Sequence, residues 1–162
     1  EAGIVVPLPS PNPVGQLLAE AVDQERSAAQ TKKITLRLIP CDGAAVFDPR
    51  WTAEALGNVV NNAVKYTPPG GTVTVCAQML DSFCRVDVAD TGPGIPEGEQ
   101  GEIFNRFYRG TGSHGAGGSG LGLYLAREIL TRQGGYIKVS SRQGAGSIFS
   151  LYLPRESPDQ GL

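Results

Sequence analysis

The chain has 162 residues, 40% hydrophobic and 19% charged, which is the composition of a globular domain large enough to bury its own core. Its net charge of −2 and pI near 5.4 argue against a nucleic-acid-binding surface, which would be strongly basic. The sequence shows neither a signal peptide nor an apolar run near the roughly 20 residues that cross a bilayer. We therefore expect a cytoplasmic domain without direct membrane contact.

The first thirteen residues predict a linker, because prolines at positions 7, 9, 11 and 13 exclude a helix and weaken any strand. The chain opens on Glu1 rather than methionine, and we interpret it as a domain excised from a longer protein. The expected organisation is a linker over residues 1–13, a folded domain over 14–155 and a C-terminal tail over 156–162. Three cysteines without C-x-x-C spacing and a single histidine provide no zinc-binding set.

Hydrophobic periodicity predicts three helices and six strands. In chain order these are helix 14–30, strands 33–40 and 44–48, helix 50–66, strands 72–80 and 83–90, helix 121–133, and strands 136–141 and 147–154. The apolar face of the first helix is predicted to contain Leu17, Leu18, Ala21, Val22 and Ala28. Because the strands cluster rather than alternate strictly with helices, we expect an α+β fold with a mixed sheet covered on one face. The irregular span from 91 to 120 is typical of a functional lid or binding loop.

The second predicted helix carries an unusual set of polar residues. Asn58 and Asn62 stand four residues apart and share a face, which Lys65 and Tyr66 extend by one turn. Asparagine is a poor helix former, because its amide competes with the backbone for hydrogen bonds. Two interpretations stay open on these residues alone. They form a solvated helix surface, or a side-chain carbonyl binds a hard cation such as Mg²⁺ while the lysine meets a phosphate.

The strand that ends at Asp90 changes from apolar to acidic along one face. Val86 and Val88 share that face with Asp90, and Gly92 and Gly94 follow it directly. A carboxylate at this position suits a planar ligand whose exocyclic amine donates a hydrogen bond, and glycines let the backbone approach the ring. An ordinary turn that leaves a strand is the alternative.

Two further segments, at 103–109 and 117–122, fall within the long irregular span. In the segment IFNRFYR, aromatic residues stand beside arginines and predict either a hydrophobic plug or a phosphate contact. Glycines between 117 and 122 lead into the third predicted helix, whose N-terminus exposes N–H groups and attracts phosphate. Their spacing matches neither the dinucleotide pattern nor the phosphate loop, so a tether, a tight turn and a phosphate cradle stay open.

Together, five ordered stretches resemble the N, G1, F, G2 and G3 boxes of a known family. The stretches are NVVNNAVKYTP, DTGPGIP, IFNRFYR, GGSGLGLYLAREI and GAGSIF. The family is that of the catalytic ATP-binding domain of two-component sensor histidine kinases, which is shared with gyrase, Hsp90 and MutL. The resemblance covers roughly residues 14–154. It implies a two-layer α/β sandwich, the Bergerat fold, with a mixed, mostly antiparallel sheet of five or six strands, three helices on one face and a long ATP lid.

The resemblance also implies a role for each matching residue. Asn62 would bind Mg²⁺, and Asn58, Lys65 and Tyr66 would lie near the phosphates and ribose. Asp90 would accept a hydrogen bond from the adenine amine. The other implied ATP-binding residues are Gly92, Gly94, Ile95, Phe107, Gly118, Ser119, Gly120, Leu121, Gly122, Leu123 and Ser147, the last of which replaces the family's usual threonine. The implied catalytic residues are Asn58, Lys65, Arg106 and Arg109.

The resemblance further indicates which reaction to expect. ATP-hydrolysing members of the larger family carry a glutamate general base at the position of Asn58, and asparagine cannot accept that proton. Transfer of the γ-phosphoryl group is therefore favoured over hydrolysis. The only histidine, His114, lies in the expected lid, so the acceptor would be a histidine on a dimerisation domain outside this chain, which passes the phosphoryl group to a response regulator.

We expect a monomeric fragment that binds ATP and Mg²⁺ without phosphorylating itself. Two alternatives are a nucleotide-binding or sensing module without transfer activity and an anti-sigma-type serine kinase of the same fold.

Overall fold

The computed structural model describes residues 5–106 and 121–156. Within these residues the helices are α1 (Val14–Lys32), α2 (Pro49–Tyr66) and α3 (Gly122–Thr131), and a short 3₁₀ turn covers Glu97–Glu99. The strands are β1 (Ser10–Pro13), β2 (Thr35–Leu38), β3 (Ala44–Phe47), β4 (Thr72–Met79), β5 (Phe83–Asp90), β6 (Tyr136–Ser141) and β7 (Ser147–Pro154). None of the helices in these two ranges is both long and apolar enough to cross a membrane.

The main sheet has five strands in the order β2-β4-β5-β7-β6. Strand β2 runs parallel to β4, and every other neighbouring pair is antiparallel. The predicted α+β fold with a mixed, mostly antiparallel sheet is therefore confirmed. Strand β3, which we predicted as part of the clustered strands, instead pairs with β1 in a separate two-stranded sheet.

Strand β1 is the largest departure from the predicted elements. Residues 10–13 were assigned to the linker, yet they pair antiparallel with β3, and Asn12 Nδ2 donates to the Phe47 carbonyl over 3.0 Å. The prediction of a linker up to residue 13 is therefore wrong for this stretch. Within the described residues strand β1 pairs with β3 alone, and prolines, which lack an N–H group, are tolerated in such an edge strand. Upstream of it, Val5 is only 7% exposed and belongs to the core.

The three helices pack side by side, and their apolar faces form one core with the sheet. Val14, Leu18, Leu56 and Ile129 of the helices are all fully buried in this core. The sheet contributes Val73, Val75, Cys84, Val86, Val88, Phe149, Leu151 and Leu153. These residues alternate along their strands, so the apolar face of the sheet meets the helices and its polar face does not.

Helix boundaries follow from local signals, with one correction. Asp48 caps α2 by accepting from the Arg50 and Trp51 backbone N–H groups over 2.9 and 3.0 Å, and Pro49 occupies the first turn. In α1, Ala28 is exposed and its neighbour Ala29 is buried, which contradicts the predicted apolar face. Ala29 follows the buried Val22 by seven residues, or two helical turns, and so stays on the same face.

Candidate functional site

The midpoint of α2 meets the start of α3. Asn58 Nδ2 donates to the Gly122 carbonyl over 3.2 Å, although the two residues are 64 positions apart in sequence. A methyl group added at Gly122 would lie 3.8 Å from the Asn58 Cβ, so the two helices contact each other closely at this point. The structure thereby brings together the asparagine helix and the end of the glycine-rich stretch, as the resemblance implies.

The asparagines of α2 separate into two groups. Asn61 is exposed and donates to the Glu25 carboxylate of α1 over 3.0 Å. Asn62 is half-buried, and its amide makes no hydrogen bond within the described part of the chain. Asn61 therefore contributes to the packing of α1 on α2, whereas no described residue forms a hydrogen bond with the Asn62 amide.

The last turn of α2, which carries Lys65 and Tyr66, is held from outside the helix. Lys32 Nζ donates to the Val64 carbonyl over 3.1 Å and to the Lys65 carbonyl. A cation at a helix C-terminus satisfies free carbonyls and complements the helix dipole. The next residue, Thr67, is fully buried, and among the described residues its hydroxyl has no hydrogen-bond partner. Sequence reasoning assigned no role to Lys32 or Thr67.

Asp90 ends β5 beside the last turn of α2. One of its carboxylate oxygens accepts from the Gly92 backbone N–H over 2.9 Å, and the Ser147 backbone N–H is a second donor. Burial raises the pKa of the Asp90 carboxyl above its ordinary value, and these two backbone donors lower it in part. The result is a partly buried hydrogen-bond acceptor at the end of a strand, as predicted.

The two glycines after Asp90 are required by close packing. A side chain at Gly92 would lie 3.1 Å from the Asp90 carboxylate and 3.2 Å from the Tyr66 carbonyl. Gly94 has a φ of 76°, in the left-handed region, and a side chain there would collide with the Arg142 carbonyl. The loop after β5 therefore lies directly against both the end of α2 and the turn between β6 and β7.

A serine pair anchors this loop and was not predicted as a pair. The Ile95 backbone N–H donates to the Ser141 hydroxyl over 2.7 Å, and the Ser141 and Ser147 hydroxyl oxygens are 2.7 Å apart. Gln100 Nε2 adds hydrogen bonds to the Ile95 and Ser141 carbonyls over 2.9 and 3.0 Å. Ser141 and Ser147 are direct partners in the β6–β7 hairpin, so the register of that hairpin was the signal that would have revealed Ser141.

Residues 103–106 contain two buried apolar side chains followed by an arginine. Ile103 and Phe104 are buried, and the Phe104 ring contacts the Phe149 ring edge-on with centroids 6.1 Å apart. The hydrophobic-plug interpretation is therefore confirmed for this part. The Arg106 guanidinium carbon lies 5.8 Å from the centre of the Tyr124 ring, which places Arg106 near the start of α3.

The remaining candidates divide between α3 and the residues that are not described. Leu121 is the N-cap residue of α3, Gly122 is its first residue, and Leu123 packs partly buried against the core. Candidates that lie outside the described residues are Phe107, Arg109, Gly118, Ser119 and Gly120, together with His114.

The site offers little to a metal ion apart from amide oxygens. Residues 5–106 and 121–156 contain no group of three or more His, Cys, Asp or Glu side chains that could hold a metal. Mg²⁺ prefers six oxygen ligands and keeps several waters, so a single protein amide oxygen suits an ion that arrives on a phosphate. The free amide of Asn62 fits such an ion.

Known proteins resemble this chain in sequence and in fold. A family model described as histidine kinase-, DNA gyrase B- and HSP90-like ATPase matches residues 47–157. The sensor-like histidine kinase SenX3 of Mycobacterium bovis is 34% identical over 144 residues, which are 87% of this chain and 35% of SenX3.

Solved structures agree with these matches. The mycobacterial sensor histidine kinase MprB has a TM-score of 0.80 at 27% identity, covering 91% of this chain and 99% of the MprB chain. Full-length ShkA in complex with AMPPNP has a TM-score of 0.82 at 27% identity, covering 96% of this chain and 33% of the ShkA chain. This chain therefore spans about a third of the length of SenX3 and of ShkA.

Proposed function

Because the chain belongs to the family of histidine kinase-, DNA gyrase B- and HSP90-like ATPases, we propose that it transfers the γ-phosphoryl group of Mg·ATP to a histidine outside this chain. The acceptor would lie on the dimerisation domain of a parent sensor kinase, which then passes the phosphoryl group to a response regulator. The contact between Asn58 and Gly122 is the observation that supports the proposal most directly. It joins the asparagine helix to the N-terminus of α3, where phosphate is favoured.

The base and the phosphates of ATP would occupy two ends of one site. The adenine amine donates to Asp90, and Gly92, Gly94, Ile95 and Ser147 surround the ring. Full-length ShkA, a similar structure, was solved in complex with AMPPNP, which supports nucleotide binding by a protein of this kind. Beyond the last turn of α2, the ribose and phosphates extend toward two groups of residues. These are Asn58, Asn62, Lys65 and Tyr66 on α2, and Phe107 with Gly118, Ser119, Gly120, Leu121, Gly122 and Leu123 on the glycine-rich side.

Asn62 would hold the magnesium ion through its amide oxygen. When bound, the ion neutralises phosphate charge and fixes the geometry of the phosphates. The protein's own contribution is positioning, with Lys65, Arg106 and Arg109 supplying positive charge toward the phosphates.

Transfer, rather than hydrolysis, follows from the chemistry of Asn58. Its amide nitrogen already donates to the Gly122 carbonyl, and an amide cannot deprotonate an attacking water at neutral pH. A neutral imidazole attacks through the lone pair of its unprotonated nitrogen and needs no base for that step, which favours a histidine acceptor over water.

Calorimetric titration with Mg·ATP tests the nucleotide site. We expect Asn62→Ala to weaken binding about tenfold or more, because it removes the cation's protein ligand. Asn61→Ala is the matched control, since its amide contacts Glu25 instead, and its affinity should stay within about twofold of the unaltered protein. Equal affinities for the two variants would contradict the assignment of Asn62.

Radiolabelled ATP tests the transfer. The chain is mixed with the separately expressed dimerisation domain of its parent protein, and we expect acid-labile label on that domain. ATP binding without any transfer would instead indicate a nucleotide-sensing module. Acid-stable label on a partner serine would indicate a serine kinase of the same fold.

A further inference from the structure

We infer that Ser141 is a positioning residue for the adenine base, because its hydroxyl determines which way Ser147 directs its hydrogen. This inference rests on the proposed function, which places adenine beside Asp90. Ser147 is the register partner of both Asp90 on β5 and Ser141 on β6, so the three residues form one row across adjacent strands. Ser141 is the outermost of the three in that row.

The contacts of Ser141 explain how it acts. Its hydroxyl oxygen receives the Ile95 backbone N–H over 2.7 Å and lies 2.7 Å from the Ser147 hydroxyl and 3.0 Å from the Gly146 carbonyl. A serine hydroxyl has one hydrogen to donate and two lone pairs to accept with. Since Ile95 occupies one lone pair, the hydrogen of Ser141 goes either to Gly146 or to Ser147.

The two choices give Ser147 opposite properties. If Ser141 donates to the Gly146 carbonyl, Ser147 donates to Ser141 and offers only lone pairs to a ligand. If Ser141 donates to Ser147, then Ser147 is free to donate its own hydrogen to a ligand. In the second arrangement the Gly146 carbonyl keeps a partner, because it also accepts the Arg142 backbone N–H over 3.3 Å, and only the Ser147 hydrogen is left for a ligand.

Adenine selects the second arrangement. Its amine donates a hydrogen bond, and the adjacent ring nitrogen N1 accepts one. A site that recognises both atoms needs an acceptor beside a donor, and Asp90 next to Ser147 supplies this pair. Ser141 therefore orients the Ser147 hydroxyl toward N1, directly or through a bridging water, while it holds the Ile95 loop in place.

The test compares ADP with 1-deaza-ADP, in which a C–H group replaces the N1 acceptor. We expect the unaltered chain to bind ADP about tenfold more tightly in calorimetry, which is the value of one hydrogen bond of about 1.4 kcal/mol. Ser141→Ala should weaken ADP binding and bring the ratio of the two affinities close to one. Ser147→Ala should do the same, and the double variant should add little, since the two hydroxyls act as one unit.

Two variants control the comparison. Ser141→Thr restores the hydroxyl and should restore both the affinity and the ratio, and Ser140→Ala alters the exposed neighbour and should change neither. Thermal denaturation without nucleotide shows whether each variant is folded, and Ser141→Cys, a weak donor of similar volume, replaces the alanine variant if that one does not fold.

Three outcomes overturn the inference, and they are distinguishable. If Ser141→Ala leaves ADP affinity unchanged, Ser141 has no role at the base. If it weakens both ligands by the same factor, Ser141 only tethers the loop. If the unaltered chain binds neither ligand, the proposed function fails together with this inference.

Discussion

The two ends of helix α2 differ in whether their buried polar groups have hydrogen-bond partners. At its N-terminal end, the Asp48 backbone N–H donates to Gln133 Oε1 over 2.6 Å, and Gln133 Nε2 donates to the Thr52 hydroxyl and the Ile129 carbonyl. Asp48 also accepts from the Leu8 backbone N–H over 2.8 Å. This network, formed by Asp48, Thr52 and Gln133, leaves none of its side-chain atoms without a partner.

Toward its C-terminal end, α2 is left incomplete. The Thr67 hydroxyl is fully buried without a partner in the described residues, and the Asn62 amide is free within the same ranges. The buried Thr67 hydroxyl reduces stability because it gives up its hydrogen bonds to water, whereas the half-buried Asn62 amide stays partly exposed to solvent. The network therefore anchors the N-terminal end of this helix, whereas Thr67, just beyond its C-terminal end, has a buried hydroxyl that no described residue satisfies.

We expect the largest effect on stability from a substitution in the network at the N-terminal end of α2. Gln133→Leu leaves the Asp48 N–H group without its acceptor and the Thr52 hydroxyl without its donor, and we expect the free energy of unfolding to fall by about 3 kcal/mol. Chemical denaturation measures this loss. Gln30→Leu on the exposed side of α1 is the control, with a change within about 0.5 kcal/mol. A loss no larger than that of the control would show that the network is not an anchor.

Thr52 and Thr67 allow a direct comparison of the two ends of α2, because both residues are fully buried. Thr52→Val removes the acceptor of Gln133 Nε2 and should destabilise the protein by about 1–2 kcal/mol. Thr67→Val removes a hydroxyl that has no partner and should stabilise the ligand-free protein by about 1 kcal/mol. Denaturation curves for both variants check the signs. Destabilisation by Thr67→Val would mean that its hydroxyl is already satisfied.

We expect the smallest effect on stability from Asp90, and it should appear as a dependence of the free energy of unfolding on pH. Its pKa is raised in the folded state, so the charged carboxylate costs stability above that pKa. Relative to Asp90→Asn, the unaltered protein should gain stability as the pH falls through the raised folded pKa toward the ordinary value of 3.8. Denaturation of both proteins at several pH values measures this gain. A gain on raising the pH would contradict the assigned direction.

Much of the fold was predictable because its signals are local. The helical periodicity of α1, α2 and α3 and the apolar alternation of β5 act within a few neighbouring residues. The candidate residues Asn58, Asn62 and Asp90 could be selected from the sequence, since they stand out as polar residues where apolar or helix-forming ones are usual. Their spacing placed them on shared faces, and the structure retains that arrangement.

Contacts between residues distant in sequence escaped prediction. Strand β1 exists because β3 supplies its partner about 35 residues away, which proline content alone argued against. Similarly, Asn61 and Asn62 are adjacent in sequence, and only the position of α1 decides that one meets Glu25 while the other stays free. The buried network at Gln133 spans 85 residues and has no local signature.

Periodicity and side-chain chemistry were therefore enough to predict the helices and the main strands and to select the candidate residues. Which polar groups find a partner within the fold depended on the tertiary structure. Whether a polar group has a hydrogen-bond partner depends on which residues lie next to it in space. The surroundings of Ser141, Thr67 and Lys32 are formed by strands and helices that come together only when the chain folds.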